Sequence, residues 1–359
     1  MLKTADPKVI SYTERNYIPA EDMGTMSPNL DLIISSKQFA SGLEIYPDNF
    51  VAGVNGNVTL RELDEKLKEQ GLETLIKAPP DYSMSRILSE NWGVETKRSC
   101  LGLGLRHADG TETKIGGQVI KNVSGLDLTK IYLGSCNALA VITSAYLRLD
   151  KMPEKEVKLV YRLEEFPGDF SKYNFHWDNY TVDCTFDKTS SMYANDHYYL
   201  TVSLWGDLEL LEIRKKRVHD RLGAWDEIKE TDYQGKQYPG TEFRLEYYTR
   251  PSNLHEFVDY FVTHIKKIKL KAYPRYGRVD VYPDNVDEFS LDIQKLKSGM
   301  LQKDYFVHVY PITYTNRILE RKINLHANEY EKNIIRQLKK AYDPDCLLNP
   351  GILLGERIK

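Results

Sequence analysis

The stretch that decides the fold begins at Asp109-Gly110, runs through Gly116-Gly117-Gln118-Val119-Ile120-Lys121-Asn122-Val123-Ser124-Gly125-Leu126-Asp127-Leu128, and ends at Gly134-Ser135. Cys100 to His107 and Thr111 to Ile115 read as two strands, with Asp109-Gly110 as the hairpin turn between them. Leu139 to Leu149, which contains Val141, Ile142 and Thr143, reads as a further strand. Adjacent glycines at Gly116-Gly117 let main-chain amides approach a ligand with no Cβ in the way, and Gly125 can take conformations closed to other residues. A run of such amides suits a pyrophosphate or the polar edge of a ring system. Lys121 would offset negative charge there, and Asp127 would fix the turn through its own backbone. The alternative is a bulge at Gly116-Gly117, with Lys121, Asn122 and Asp127 stabilising loops, because glycine within a strand often marks a bulge. Both readings stand at this point. Gly102-Leu103-Gly104 lacks the third glycine and the following helix of a dinucleotide fingerprint, and is a strand feature.

Upstream, Phe50 to Val54 reads as a strand, and Asn55-Gly56 supplies residues that tolerate positive φ in a tight turn. Thr59-Leu60-Arg61-Glu62 is a capping box, Leu60, Leu63 and Leu67 line one helix face, and Gly71 is the stop. Downstream, Met152-Pro153 with charged neighbours marks a domain boundary. Beyond it, strand-like segments at Val157 to Arg162, Tyr198 to Leu204, Thr241 to Tyr248, Gly277 to Tyr282 and Tyr305 to Tyr310 alternate with helical ones at Leu208 to Leu222 and Leu254 to Ile268. That order predicts an α+β sheet layered with helices. His326 to Ala341 is an amphipathic helix with Ile334, Ile335 and Leu338 inward, ended by Asp343-Pro344. No internal repeat shows.

A chain of 359 residues suits two moderate domains, and 41% hydrophobic with 28% charged residues makes it a soluble globular class. The net charge of −3 offers no global positive field to recruit nucleic acid. The basic runs Arg214-Lys215-Lys216-Arg217 and Lys266-Lys267-Ile268-Lys269 read as solvated helix faces, with Leu208, Leu211, Val218 and Leu222 on the opposite side of the first. Cys100, Cys136, Cys184 and Cys346 are far apart, form no CxxC pair, and read as a reduced cytosolic thiol set with neither disulfide nor zinc. The opening residues lack the apolar core of a signal peptide, and no window reaches the roughly 18 apolar residues of a spanning helix. A cytoplasmic protein without direct membrane insertion is expected.

Two stretches together carry a family resemblance. The first resembles the late flavin-binding segment of the FAD-binding PCMH-type flavoproteins of the vanillyl-alcohol-oxidase superfamily, where a hairpin leads into a GG…KNV.G.DL run and a Gly-Ser turn. The second, Leu338 to Gly351, is similar to that family's C-terminal helix and its DP…NPG ending, here Asp343-Pro344 and Asn349-Pro350-Gly351. In length and segment order the chain is also similar to the small FAD-binding subunits of the glycolate oxidases. The resemblance implies a PCMH-type FAD-binding domain of two subdomains over 1–152 and an α+β cap, ferredoxin-like with an antiparallel sheet, over 153–325. The C-terminal segment 326–359 then returns to the FAD domain. It implies a non-covalent FAD held by Gly24, Thr25, Gly116, Gly117, Lys121, Asn122, Gly125, Asp127, Gly134, Ser135, Val141 and Ile142. The implied chemistry is hydride transfer to FAD from the alcohol carbon of a small 2-hydroxy acid, within a complex with a larger flavoprotein subunit and an iron-sulfur subunit.

Such a substrate needs a cation for its carboxylate and a base for its hydroxyl proton. Arg275, Tyr276 and Arg278, which flank Gly277, and His308 on a nearby strand are the candidates, against an ordinary structural role for each. The larger catalytic subunits of related oxidases carry histidine-rich metal motifs around the position of Tyr273 to Asp280, where this chain has no histidine, so no metal is expected. The family's glycine loops are altered at three places. Ile18 to Thr25 carries one glycine beside Glu21 and Asp22. Ser85-Arg86 stands where two glycines are usual, and Asn137 and Ala140 replace two more. Asn tolerates left-handed geometry, and Arg86 offers a phosphate contact of its own. A second reading therefore stands beside the enzyme: a structural or interaction subunit that keeps the fold without flavin.

Overall fold

The computed structural model describes residues 10–13, 32–35, 42–118, 127–163, 173, 183–188, 198–232, 243–264, 268–283, 305–310 and 329–353. The chain divides into two compact units. Unit 1 comprises Met1–Met152, Lys236–Thr241 and Ile312–Lys359, and unit 2 comprises Pro153–Gly235 and Glu242–Pro311.

In unit 1, β1 (Ile10–Thr13) and β2 (Leu32–Ser35) pair in parallel. An antiparallel sheet is built from β3 (Leu43–Tyr46), β4 (Val51–Asn55), β6 (Cys100–Arg106), β7 (Glu112–Gly116) and β8 (Val141–Arg148), in the order β3-β4-β8-β6-β7. A small ladder joins β5 (Leu72–Glu73) to β9 (Asp150–Lys151). The capping box forms as read: the Glu62 amide donates to Thr59 Oγ1 at 3.2 Å, and the Thr59 amide donates to Glu62 Oε2 at 2.8 Å. Leu60, Leu63 and Leu67 of α1 (Leu60–Lys68) are fully buried. Phe50 is left-handed, so the strand starts one residue later than expected. Asn55 and Gly56 are not left-handed. Gly56 is needed for space, since a Cβ there would lie 2.9 Å from the Ile142 carbonyl.

Three further helices complete the described core of unit 1 before its last strands: α2 (Met84–Glu90), α3 (Gly93–Ser99) and α4 (Thr129–Tyr132).

Unit 2 is one eight-stranded antiparallel sheet. Its strands are β10 (Lys155–Leu163), β11 (Asp183–Lys188), β12 (Tyr198–Gly206), β13 (Glu227–Asp232), β14 (Arg244–Thr249), β15 (Ile268–Tyr273), β16 (Arg278–Pro283) and β17 (Tyr305–Tyr310). The order β13-β10-β12-β11-β15-β16-β14-β17 contains one arrangement twice. Numbered within each half, both halves read 4-1-3-2, the ferredoxin-like order, and they meet where β11 pairs with β15. The topology thus repeats although the sequence does not, because the repeat lies in the hydrogen-bond order of distant strands. Helices α5 (Leu208–Leu222) and α6 (Leu254–His264) follow the third strand of the first half and the first strand of the second. One sheet face is apolar (Leu159, Val202, Leu245, Tyr247, Val279, Val281, Val307) and buries Leu211 and Val218 of α5 and Phe257 and Phe261 of α6.

Three sequence expectations change here. Arg214 is buried, its guanidinium donating to the Trp205 carbonyl, so the first basic run is not wholly a solvated face, and Leu208 is exposed. Lys269 lies on β15 rather than on a helix, and residues 265–267 fall outside the described residues. In α7 (Glu329–Tyr342) Ile334 is 39% exposed and Lys339 is buried, so the inward face is centred about one residue beyond the aliphatic stripe.

Candidate functional site

In unit 1 the site is built around one turn. Gly134 takes φ of 83°, and Cys136 and Asn137 follow at 51° and 54°. The Gly134 and Cys136 amides donate to the Leu88 and Ser89 carbonyls of α2 at 3.2 and 2.8 Å. Asn137 Oδ1 accepts the Ile142 amide at 3.1 Å, which ties the turn to the start of β8, where Val141 and Ile142 are buried. Asn137 thereby keeps the left-handed backbone that a glycine would supply. The Ser135 hydroxyl is buried and makes no hydrogen bond among the described residues. A buried polar atom of that kind calls for a ligand or water.

At the end of β7 the two glycines separate in role. Gly116, at φ of 67°, sits so close to β6 that a Cβ would come within 2.2 Å of the Leu101 carbonyl, and strand packing accounts for it. A Cβ at Gly117 would meet nothing within 4 Å, but its amide is taken, donating to the Leu101 carbonyl at 3.2 Å. Asp127 accepts the Thr129 amide at 3.2 Å and lies 3.5 Å from Lys130, fixing the turn that leads into the short α4. Gly24, Thr25, Lys121, Asn122 and Gly125 lie outside the described residues. The buried, unpartnered Ser135 hydroxyl is the feature of this turn that fits a polar ligand such as the flavin, and it would hold part of one.

Helix α2 contributes differently from the family's glycine pair. Ser83 caps it, and its first amides are already taken: Met84 by the Val58 carbonyl, Ser85 by the Gly56 carbonyl, Arg86 by Ser83 Oγ. Arg86 stacks over the Tyr82 ring at 3.7 Å and pairs with buried Glu90 at 3.0 Å, whose other oxygen accepts from Trp92 Nε1 at 2.7 Å. Its charge is compensated by protein. Cys100 and Cys136 carry buried thiols, the first pushed up to about 12 by burial.

In unit 2 the face opposite the helices carries charge. Glu246 on β14 stands directly across from Asp280 on β16 and from His308 on β17. Arg244 donates to Glu246 Oε1 at 3.0 Å, and the Tyr248 hydroxyl donates to Oε2 at 2.8 Å. Arg278 reaches Asp280 with Nε at 2.9 Å and its terminal nitrogen at 3.2 Å, and lies 3.8 Å over the Tyr273 ring. Arg244 lies 4.3 Å over Tyr310, and the Tyr248 and His308 rings meet edge-on at 5.8 Å. Arg244, Glu246 and Asp280 are all 5% exposed or less. Burial pushes the Glu246 carboxyl up, yet Arg278, Arg244 and the Tyr248 hydroxyl together hold it below the usual range. Burial raises Asp280 to about 7, with Glu246 adding to the shift and Arg278 opposing it.

The structure therefore brings Arg278 and His308 onto one face, joined through Tyr248 and Glu246. Arg275 and Tyr276 sit on the 3-10 turn Pro274–Tyr276 before β16, with Arg275 5.6 Å from the Tyr276 ring. Residue selection by sequence missed Arg244, Glu246, Tyr248 and Asp280. The signal was present in the alternation Arg244-Leu245-Glu246 and Arg278-Val279-Asp280-Val281. Among the described residues no group of three or more His, Cys, Asp or Glu is placed to hold a metal, and no helix is long and apolar enough to cross a membrane.

No family model matches the chain. Over 151 residues it is 29% identical to glycolate oxidase subunit GlcD of Bacillus subtilis, covering 38% of this chain and 31% of that protein. It is 33% identical over 138 residues to D-lactate dehydrogenase of Archaeoglobus fulgidus, covering 35% of this chain and 30% of that one. It is 24% identical over 163 residues to glycolate oxidase subunit GlcE of Escherichia coli, covering 43% of each. The matches thus span less than half the length of these curated relatives. An alkyldihydroxyacetonephosphate synthase structure superposes over 95% of this chain and 72% of its own, with a TM-score of 0.62 at 14% identity, which establishes the shared fold.

Proposed function

We propose that this chain, a member of the FAD-binding PCMH-type oxidase family, is an FAD-dependent oxidoreductase acting on the CH–OH group of a small 2-hydroxy acid. The observation that carries the reading is the face of β14, β16 and β17, where Arg244, Glu246, Asp280 and Tyr310 are buried and the half-buried Arg278 and His308 stand beside them, on a flavoprotein fold. Bound FAD supplies the hydride acceptor. Arg244 and Arg278 oppose Glu246, which is ionised, and Asp280, which carries a proton part of the time near neutral pH. That leaves a positive balance to receive a substrate carboxylate. His308, across the strand pair from Glu246, takes the hydroxyl proton. Residues 1–152 with 326–359 act as the FAD domain and 153–325 as the cap. FAD is held without a covalent bond by Ser135, the Gly117 main chain, Gly24-Thr25 and the segment Lys121 to Gly125. Two of the relatives are named as subunits, and a larger flavoprotein and an iron-sulfur protein in the cytoplasm are the partners this reading implies.

The test is the visible spectrum of the purified chain after FAD titration, followed by anaerobic addition of glycolate or D-lactate. Flavin absorbance that bleaches with one of these acids is expected; a chain that takes up no flavin sinks the reading. A second reading, a fold retained as a non-flavin interaction subunit, is favoured by the occupied amides of α2 and the self-contained Arg86–Glu90 pair. Stoichiometric FAD in the isolated chain disposes of it.

A further inference from the structure

The C-terminal segment grips the Ser135 turn from outside. Lys339, 3% exposed, donates to the Ala138 carbonyl at 2.6 Å, to the Leu348 carbonyl at 2.6 Å and to Asp343 Oδ2 at 2.5 Å. Asp343 is itself fixed by the Leu347 and Leu348 amides at 2.9 and 2.8 Å. Asn349 Nδ2 donates to the Cys136 carbonyl at 2.7 Å. The two carbonyls held in this way flank Asn137. Cys136 and Asn137 are consecutive non-glycine residues in the left-handed region, a backbone that persists only where its surroundings over-determine it. On the inner side the turn is fixed by the Leu88 and Ser89 carbonyls; on the outer side it is fixed by Lys339 and Asn349. Tyr342 adds to the docking, stacking on His107 at 5.9 Å and meeting Tyr132 edge-on at 5.8 Å.

We propose that Lys339 and Asn349 are positioning residues for FAD, holding the turn that carries Ser135 in its cofactor-receiving conformation. The C-terminal segment is then part of the cofactor site, standing in for the conformational freedom of the glycine replaced by Asn137. The inference rests on the chain binding flavin.

The experiment is FAD titration of the full-length chain, read by flavin absorbance and fluorescence, for the parent, Lys339→Met, Asn349→Ala, and Lys339→Met combined with Asn137→Gly. Loss of the lysine is expected to weaken FAD binding by about tenfold or more, and loss of the single Asn349 hydrogen bond by about fivefold. Because the glycine also removes the Oδ1 that accepts the Ile142 amide, Asn137→Gly is measured alone as well, and the double variant should bind FAD more tightly than the two single losses predict together; a role confined to stability would show independent losses. Should Lys339→Met fail to fold, Asn349→Ala carries the test. Variants that bind FAD as tightly as the parent, or single losses that prove independent in the double variant, overturn the proposal. A parent chain that takes up no FAD overturns the functional reading first, and the positioning role with it.

Discussion

Along β10 and β12, the sheet face turned away from the helices carries Glu156, Lys158, Val160, Thr201 and Trp205, all at least partly open to solvent. Along β14, β16 and β17 the same face carries Arg244, Glu246, Arg278, Asp280 and His308, and its central charges are closed off from water. The two halves share a strand order, so topology does not explain the difference. In the first half Lys158 lies 3.3 Å from Glu156, a pair of the kind that keeps a sheet face wet. In the second half the charges have been taken out of water, which costs free energy that well-packed apolar side chains would not. A network kept under those terms serves specificity or chemistry rather than stability. On the proposed function, that second half is the working face of unit 2.

The sharpest way to break the contrast is to remove one cation from the second half. Arg278→Met leaves Glu246 and Asp280 short of a partner in a buried setting, and should cost on the order of 3–5 kcal/mol in urea unfolding. It should also abolish flavin reduction by a hydroxy acid in chain that has bound FAD. A loss below about 1 kcal/mol would mean that the face is effectively solvated, and the two halves would then be alike.

A gentler change sharpens it through pH. Asp280 is raised from 3.8 to about 7, first by burial and then by Glu246. Between those values the folded chain holds a proton that the unfolded chain has released. The stability this proton confers is fully present below pH 3.8 and is lost as pH rises through about 7. Asp280→Asn removes the titration, so this part of the slope, at most about 1.4 kcal/mol per pH unit for one proton, should vanish from unfolding midpoints compared across that window. Glu246 acts with the opposite sign, being lowered, and its contribution is lost only in acid. An unchanged slope in the Asn variant would show that Asp280 is ionised throughout and is an ordinary partner of Arg278.

Much of this was legible in the sequence, and the physical reason for each miss is specific. Thr59, Leu60, Glu62 and Gly71 announce α1 because caps and stops are local chemistry. The hairpin at Asp109-Gly110 is equally local. The alternation in β14 and β16 reveals two faces, but not that the charged one is buried, since alternating charge normally means solvent. Lys339 sits among charged neighbours on α7, and only the distant carbonyls of Ala138 and Leu348 give it a reason to be buried. In the same way Asn137 could be read as tolerating a left-handed turn, whereas Cys136, which does the same, carries no such signal. The doubled strand order was hidden because pairing between strands leaves no trace in residue identity when the two halves share no sequence pattern.

The smallest expected effect is the control on which the comparison depends. Glu156 and Lys158 have side chains 19% and 34% exposed and form a pair at 3.3 Å along β10. Replacing both by alanine should shift stability by less than about 0.5 kcal/mol, because a solvated pair gains little in water and gives up side-chain entropy to form. The same double change should leave FAD affinity and hydroxy-acid turnover where they were. If instead it cost as much as Arg278→Met, the charges of the first half would also be holding the sheet together. Burial would then not be what sets β14, β16 and β17 apart, and the search for the substrate face would have to reopen on both halves of the sheet.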